Sequence, residues 1–286
     1  MFNLAQKTIN NSINCNSVGL HSGLNINMKI NPAPINTGII FRRIDLESGK
    51  NEIKADFKNV TTTNLGTSIA NEFQASISTI EHLMAAIWSC GIDNLIVEVD
   101  NAEVPIMDGS SEPFVFLIEC AGITSQNENR KVLEILEKIR LEDGDKFIEV
   151  EPSKEFSLDL NIDFNHPQIK INKLNFHSNL HSFKNDICRA RTFCFKHEIE
   201  QMYKIGLAKG GSLDNSIVVD HDKILNEGEL RYKDEFIRHK TLDFIGDLFL
   251  AGYHIIGHFN AYKVGHTLNN KFLHHLFNNP QKWRLV

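Results

Sequence analysis

A chain of 286 residues, 42% hydrophobic and 23% charged, has the make-up of a soluble globular protein and the length of two ordinary domains. Its net charge of −6 argues against a nucleic-acid binder, which would show a concentrated basic face. Five scattered cysteines (Cys15, Cys90, Cys120, Cys188 and Cys194), none in a CxxC pair, read as reduced thiols in a cytoplasmic protein rather than a disulfide or zinc-finger framework.

The N-terminal "MFNLAQKTINN" has no long apolar run, so neither a signal peptide nor a membrane span is expected there. Up to about residue 60, "LNINMKI" and "TGIIFRRI" predict strands split by the Pro/Asn-rich "NPAPIN". "STIEHLMAAIWSCGI", 78–92, predicts a helix. Ser78 and Glu81 have capping-box spacing, and Ile80, Leu83, Met84, Ile87 and Trp88 recur on one face. The strand "NLIVEV", the loop "PIMDGSS" and a helix from near Pro113 follow. "ITSQNENR", 123–130, carries no core pattern and predicts an interdomain linker. Strands then resume in "KVLEILEKIRL", "KFIEVE" and "FSLDLNIDF", with "EDGD" as a hairpin signal. "EIEQMYKIGLAKGGS" has helical spacing ended by Gly210-Gly211. A long helix is expected over about 233–251, then the strand-like "YHIIGHFNAYKV" and a last helix from about 268.

The two halves share a pattern. Cys90-Gly91 and Ala251-Gly252 each end a helix with a glycine suited to a left-handed cap. A strand, a Gly-containing loop and another helix follow each. Nine residues before these glycines stand His82 and Asp243, both able to bind metal. Helices packed about a pseudo-twofold axis would bring the two together. His239 lies four residues before Asp243, on the same helix face. Two histidines and an aspartate suit a catalytic zinc with one open position, and Glu81 would stand beside it as a base. On the residues alone, a hydrogen-bonded bystander role for His82 stays open as well.

Other histidine pairs also have a spacing of four. His254 and His258 lie in a strand, where that spacing gives no compact chelate. His177 and His181 lie in an Asn/Ser-rich stretch without helical period. Both pairs read as exposed or hydrogen-bonded residues, and His274-His275 read as surface.

Eight collinear motifs sharpen the choice: "STIEHLMAA", "GIDNLIVEV", "VPIMDGSSEPF", "IDFNHP", "ARTF", "GGSLDNSIVV", "LRYKDEFIRHKTLDFIGDL" and "AYKVGHTLNN". Together they resemble the UDP-3-O-acyl-N-acetylglucosamine deacetylases, zinc enzymes of lipid A synthesis. The resemblance runs from "VGLHSG" almost to the C-terminus. It implies an α+β fold of two similar domains, 1–125 and 131–286, each a sheet layered on helices, with the site where the helix layers meet. It also implies one insert per domain, a small sheet at about 60–75 and a strand–helix–strand unit at about 190–220.

By the same resemblance His82, His239 and Asp243 bind Zn2+ and Glu81 is the general base. His266 stabilises the oxyanion or protonates the leaving amine, Asp247 orients it, and Thr192 donates to the oxyanion. Phe193 lines an acyl passage, "TTTNLGTS" lies near the acyl chain, Lys240 and Lys146 hold the diphosphate, and Phe164 stacks on uracil. The implied partner is an acylated UDP-sugar. No nucleic acid or obligate protein partner is expected, and room is left for peripheral contact with a membrane surface. Two rivals stay open: a deacetylase of another sugar amide, and a catalytically silent nucleotide-sugar binding protein.

Overall fold

In chain order, alternating apolar and polar residues build the strands β1 (Ala5–Ile9), β2 (Ile13–Val18), β3 (Asn25–Pro32), β4 (Ile39–Arg43) and β5 (Glu52–Lys54). This computed structural model describes residues 5–164, 166–178 and 183–286. A small sheet follows, made of β6 (Val60–Thr62), β7 (Ser68–Ala70) and β8 (Ser76–Ile77). Next come α1 (Glu81–Ser89), β9 (Leu95–Val99) and α2 (Glu112–Ala121). Then β10 (Ile123–Asn129) leads to β11 (Val132–Ile135), β12 (Ile139–Asp143), β13 (Lys146–Glu151), β14 (Phe156–Asn161) and β15 (Lys173–His177). A strand–helix–strand unit of β16 (Phe193–Phe195), α3 (Lys196–Lys204) and β17 (Ile217–Val219) precedes α4 (Glu235–Leu248). The chain closes with β18 (His254–Tyr262), α5 (His266–Phe277) and β19 (Trp283–Leu285).

The fold is α+β, and its two large sheets repeat one topology. The first has the order β2-β3-β9-β4-β5, with β9 antiparallel to β3 and parallel to β4. In the second, β12-β13-β18-β14-β15 are paired in the same way, with β18 antiparallel to β13 and parallel to β14. The β6–β8 sheet and the β16–α3–β17 unit interrupt the two repeats at the same point, between the last edge strand and the helix.

Packing of α1 against α4 joins the halves. Gly246 makes this close approach possible, since a Cβ there would lie 2.1 Å from the Glu81 carbonyl oxygen. Both helices are buried nearly all round, as α1 buries Leu83, Met84 and Ile87 and α4 buries Phe236, Ile237, Leu242, Phe244 and Ile245. Each such side chain contributes about 1.5–3 kcal/mol. The predicted left-handed caps form, with Gly91 at φ +63° and Gly252 at φ +76°.

Four local expectations are corrected. Segment 123–130 is not a patternless linker, because β10 pairs antiparallel with β1 and so satisfies its backbone without burying an apolar face. Ser78 and Glu81 make no capping box. Ser78 sits in an extended bridge to Glu103, and Thr79 turns left-handed at φ +57°, which carries the Ser78 hydroxyl to the Ala102 carbonyl. α3 stops at Lys204 rather than at Gly210, because Gly206 already adopts φ +83°. The last helix starts at His266, two residues early, so His266 stands in its first turn rather than in a loop.

Candidate active site

The i, i+4 pair on α4 and the first turn of α1 converge. Asp243 Oδ1 lies 3.3 Å from His239 Nε2 and 3.7 Å from His82 Nε2, and the two rings meet edge-on at 4.9 Å. Among the described residues these three make the one group of His, Cys, Asp or Glu able to share a metal ion. All three are buried. His239 Nδ1 donates to the Ala190 carbonyl at 3.0 Å, which leaves Nε2 with its lone pair toward Asp243.

Electrostatics sharpens this geometry. Burial, and then His239, push the His82 imidazolium down to about 3; burial also lowers His239. Burial would raise Asp243, but His239 and Lys240 outweigh it and hold the carboxylate well below its ordinary range. Burial thus disfavours the cationic form of both imidazoles that face this carboxylate. Together the three form a donor set for a cation. Asp243 Oδ1, the atom that faces both imidazoles, is buried without a hydrogen-bond partner, a cost of about 1–3 kcal/mol that a bound cation would offset. The residues present fit a divalent metal.

Beside this trio, Glu81 is buried, and its Oε2 accepts the Thr67 N–H at 3.0 Å. Burial raises its pKa to about 7; Asp247 and Asp243 add to that, while His266 opposes it. Asp247 Oδ2 accepts from His266 Nδ1 at 2.8 Å and from Asn269 Nδ2 at 2.7 Å. Burial disfavours the His266 cation, but Asp247 and Glu81 more than compensate and push it up to about 9. A group near 7 beside one near 9 is the separation that base and acid roles require.

The match to known sequences decides the family. The profile described as UDP-3-O-acyl N-acetylglycosamine deacetylase matches residues 6–278. The chain belongs to this deacetylase family. A UDP-3-O-acyl-N-acetylglucosamine deacetylase of Mannheimia succiniciproducens is 50% identical over 99% of this chain and 93% of its own length. Deacetylases of the same name from Actinobacillus pleuropneumoniae serotype 3 and Haemophilus influenzae strain 86-028NP are each 48% identical over the same shares. The deacetylase family is one of metalloenzymes.

In this family member one cavity of about 530 Å³ is lined by Glu81, His82, His239, Lys240, Asp243 and His266 together with Lys146, Phe164, Thr192 and Phe193. Asp247 reaches it through His266. Lys240 Nζ holds Asp243 Oδ2 at 2.6 Å, whereas Lys146 is exposed at the rim. Phe164 meets Phe193 edge-on at 5.5 Å rather than standing alone. A second cavity of about 1170 Å³ adjoins through Thr192, Phe193, Leu20 and Leu65, and its far wall includes Met202 and Val218 of the strand–helix–strand unit.

Thr192 is held by its neighbours. The wholly buried Glu235, first residue of α4, accepts the Arg191 N–H at 3.0 Å and the Arg191 guanidinium at 2.9 Å. The Thr192 N–H donates to the Gly109 carbonyl at 2.8 Å.

Three side chains that take part in the site were missed: Thr67, Asn269 and Glu235. Thr67 sits in "TTTNLGTS" with no periodic or motif signal of its own. Asn269 is the first of two asparagines in "GHTLNN" and faces back toward Asp247 one turn after His266, a helical spacing that could have flagged it.

The other histidines stay apart from the site. His258 Nδ1 bonds Ser157 at 2.9 Å on β18, and His177 lies exposed on β15, 3.7 Å from Glu155. His254 packs against Trp88 and Phe249. His274 packs edge-on against Phe57, and His181 lies outside the described residues. His258→Ala is expected to leave metal content and turnover unchanged and to cost about 1 kcal/mol of stability for its hydrogen bond. Metal analysis and a melt check this; a loss of metal would mean the trio is not the metal site.

Proposed function

We propose that this chain hydrolyses the 2-N-acetyl group of UDP-3-O-acyl-N-acetylglucosamine, releasing acetate in the committed step of lipid A biosynthesis. The observation that carries this is the convergence of His82, His239 and Asp243 on the buried, unpartnered Asp243 Oδ1, beside Glu81 in a member of this family. His82, His239 and Asp243 would hold Zn2+. Bound there, zinc supplies Lewis-acid polarisation of the acetyl carbonyl and eases ionisation of the attacking water.

The chain's own groups do the rest. Glu81, poised near neutrality, takes the proton of the attacking water as its oxygen bonds to the acetyl carbon. The Thr192 hydroxyl donates to the developing oxyanion. His266 presents Nε2 to the cleft, because Nδ1 is engaged by Asp247, and it gives the departing nitrogen a proton as the C–N bond breaks. Asp247 keeps that imidazole charged and oriented. Lys240 and Lys146 bind the diphosphate, Phe164 offers a face to uracil, and Phe193 guides the acyl chain toward the larger cavity.

Separate repeated sheets support a division into two domains with the site between α1 and α4, and the pairing of β10 with β1 carries the first domain past 125 to Asn129, with the second from 131 to 286. No helix among the described residues is long and apolar enough to cross a membrane, in keeping with a cytoplasmic enzyme that meets membranes only peripherally.

The test is acetate release from UDP-3-O-acyl-N-acetylglucosamine and from UDP-N-acetylglucosamine, before and after chelation. Release from the acylated substrate alone, lost on chelation and restored by zinc, is expected. Equal release from both would point to a deacetylase of another sugar amide. Binding without release would point to a silent binding protein.

A further inference from the structure

We infer that Thr67 is a positioning residue that holds the Glu81 carboxylate and the His266 imidazole in register with one another, an inference that rests on the proposed hydrolysis. Thr67 is 2% exposed and lies between three ionisable groups supplied by three different helices. Its backbone N–H donates to Glu81 Oε2 at 3.0 Å. Its hydroxyl donates to Asp247 Oδ1 at 2.6 Å. Oγ1 also lies 3.3 Å from His266 Nδ1.

The hydroxyl proton is single and is committed to the carboxylate. Toward His266, Thr67 can therefore only accept, and Nδ1–H donates to both Thr67 Oγ1 and Asp247 Oδ2. That arrangement fixes the proton on Nδ1 and turns Nε2 to the cleft. One residue thus touches the partner of the acid through its side chain and the base through its backbone.

The surrounding segment is built to deliver it. Gly66, at φ +156°, lets the chain pass Glu81, where a Cβ would stand 3.0 Å from Oε1. Thr63 bonds Thr267 at 2.7 Å, which ties the same segment to the start of α5. The small β6–β8 sheet therefore reaches both the α1 and the α5 ends of the site.

Thr67→Val keeps the β-branch and the backbone N–H but removes the hydroxyl. It is expected to lower kcat about 10–100-fold, the usual effect of losing an outer-shell partner, with KM and bound metal unchanged. In the metal-free protein, the downfield Nδ1–H proton resonance that His266→Gln abolishes should shift or broaden in Thr67→Val. Thr67→Ser should restore both rate and resonance. Turnover within about twofold of wild type, a fall expressed through KM or lost metal, or a serine variant no better than valine would each overturn the inference. Should the wild type release no acetate, the proposed function fails and the resonance alone decides, an unchanged signal in Thr67→Val overturning the role of Thr67.

Discussion

Glu81→Gln is expected to cut turnover by about 10²–10⁴-fold while the protein keeps its metal and its melting temperature. The amide is the same size as the carboxylate, and its oxygen can still accept the Thr67 N–H that now holds Glu81 Oε2. No helix cap is lost, because Glu81 makes none. The charge removed is one that burial, Asp247 and Asp243 already disfavour, so the fold gives up little beyond its attraction to His266. What glutamine cannot do is accept a proton from water. Initial rates, metal analysis and a thermal melt on one preparation check the result. Near-normal turnover would put the base elsewhere, and lost metal or stability would make the rate unreadable as chemistry.

Asp243→Asn is expected to weaken metal binding by more than the about 10–100-fold typical of an outer-shell partner, since it changes a ligand itself. Asparagine rather than alanine is the informative choice. Asp243 also holds Lys240 Nζ at 2.6 Å, and deleting one member of a buried pair costs about 3–5 kcal/mol by itself. An asparagine oxygen can still meet the ammonium, so the metal effect is read with less collapse. Chelator competition measures the affinity, and melting with added zinc gives an independent readout. At about 100-fold excess over Kd, a ligand that binds only the folded chain adds about 2.7 kcal/mol. The wild type should show that gain, and Asp243→Asn and His82→Ala should not. An equal zinc-dependent rise in all three proteins would remove His82 and Asp243 from the metal site.

Local periodicity in the sequence determined most of the elements and two of the three residues of the metal trio. Helix and strand patterns depend on neighbours a few residues away, so β3, β4, β9, α1, α4 and β18 were legible. The His239–Asp243 spacing and the cap glycines Gly91 and Gly252 are local in the same sense. The repeat between the halves pointed to His82 with Glu81 beside it, the family motifs added Thr192 and His266, and one cavity brings all four together. Tertiary packing decided what each polar side chain bonds. Glu81 had a plausible partner three residues away in Ser78, yet its carboxylate is taken by Thr67, 14 residues back, because the small sheet packs over the start of α1. The Thr67 hydroxyl in turn meets Asp247, 180 residues along the chain. Segment 123–130 likewise looks unstructured by its own composition and becomes a strand only because β1 offers it an edge. A buried carboxylate takes whichever donor the packed fold presents to it, and no spacing along the chain records that choice.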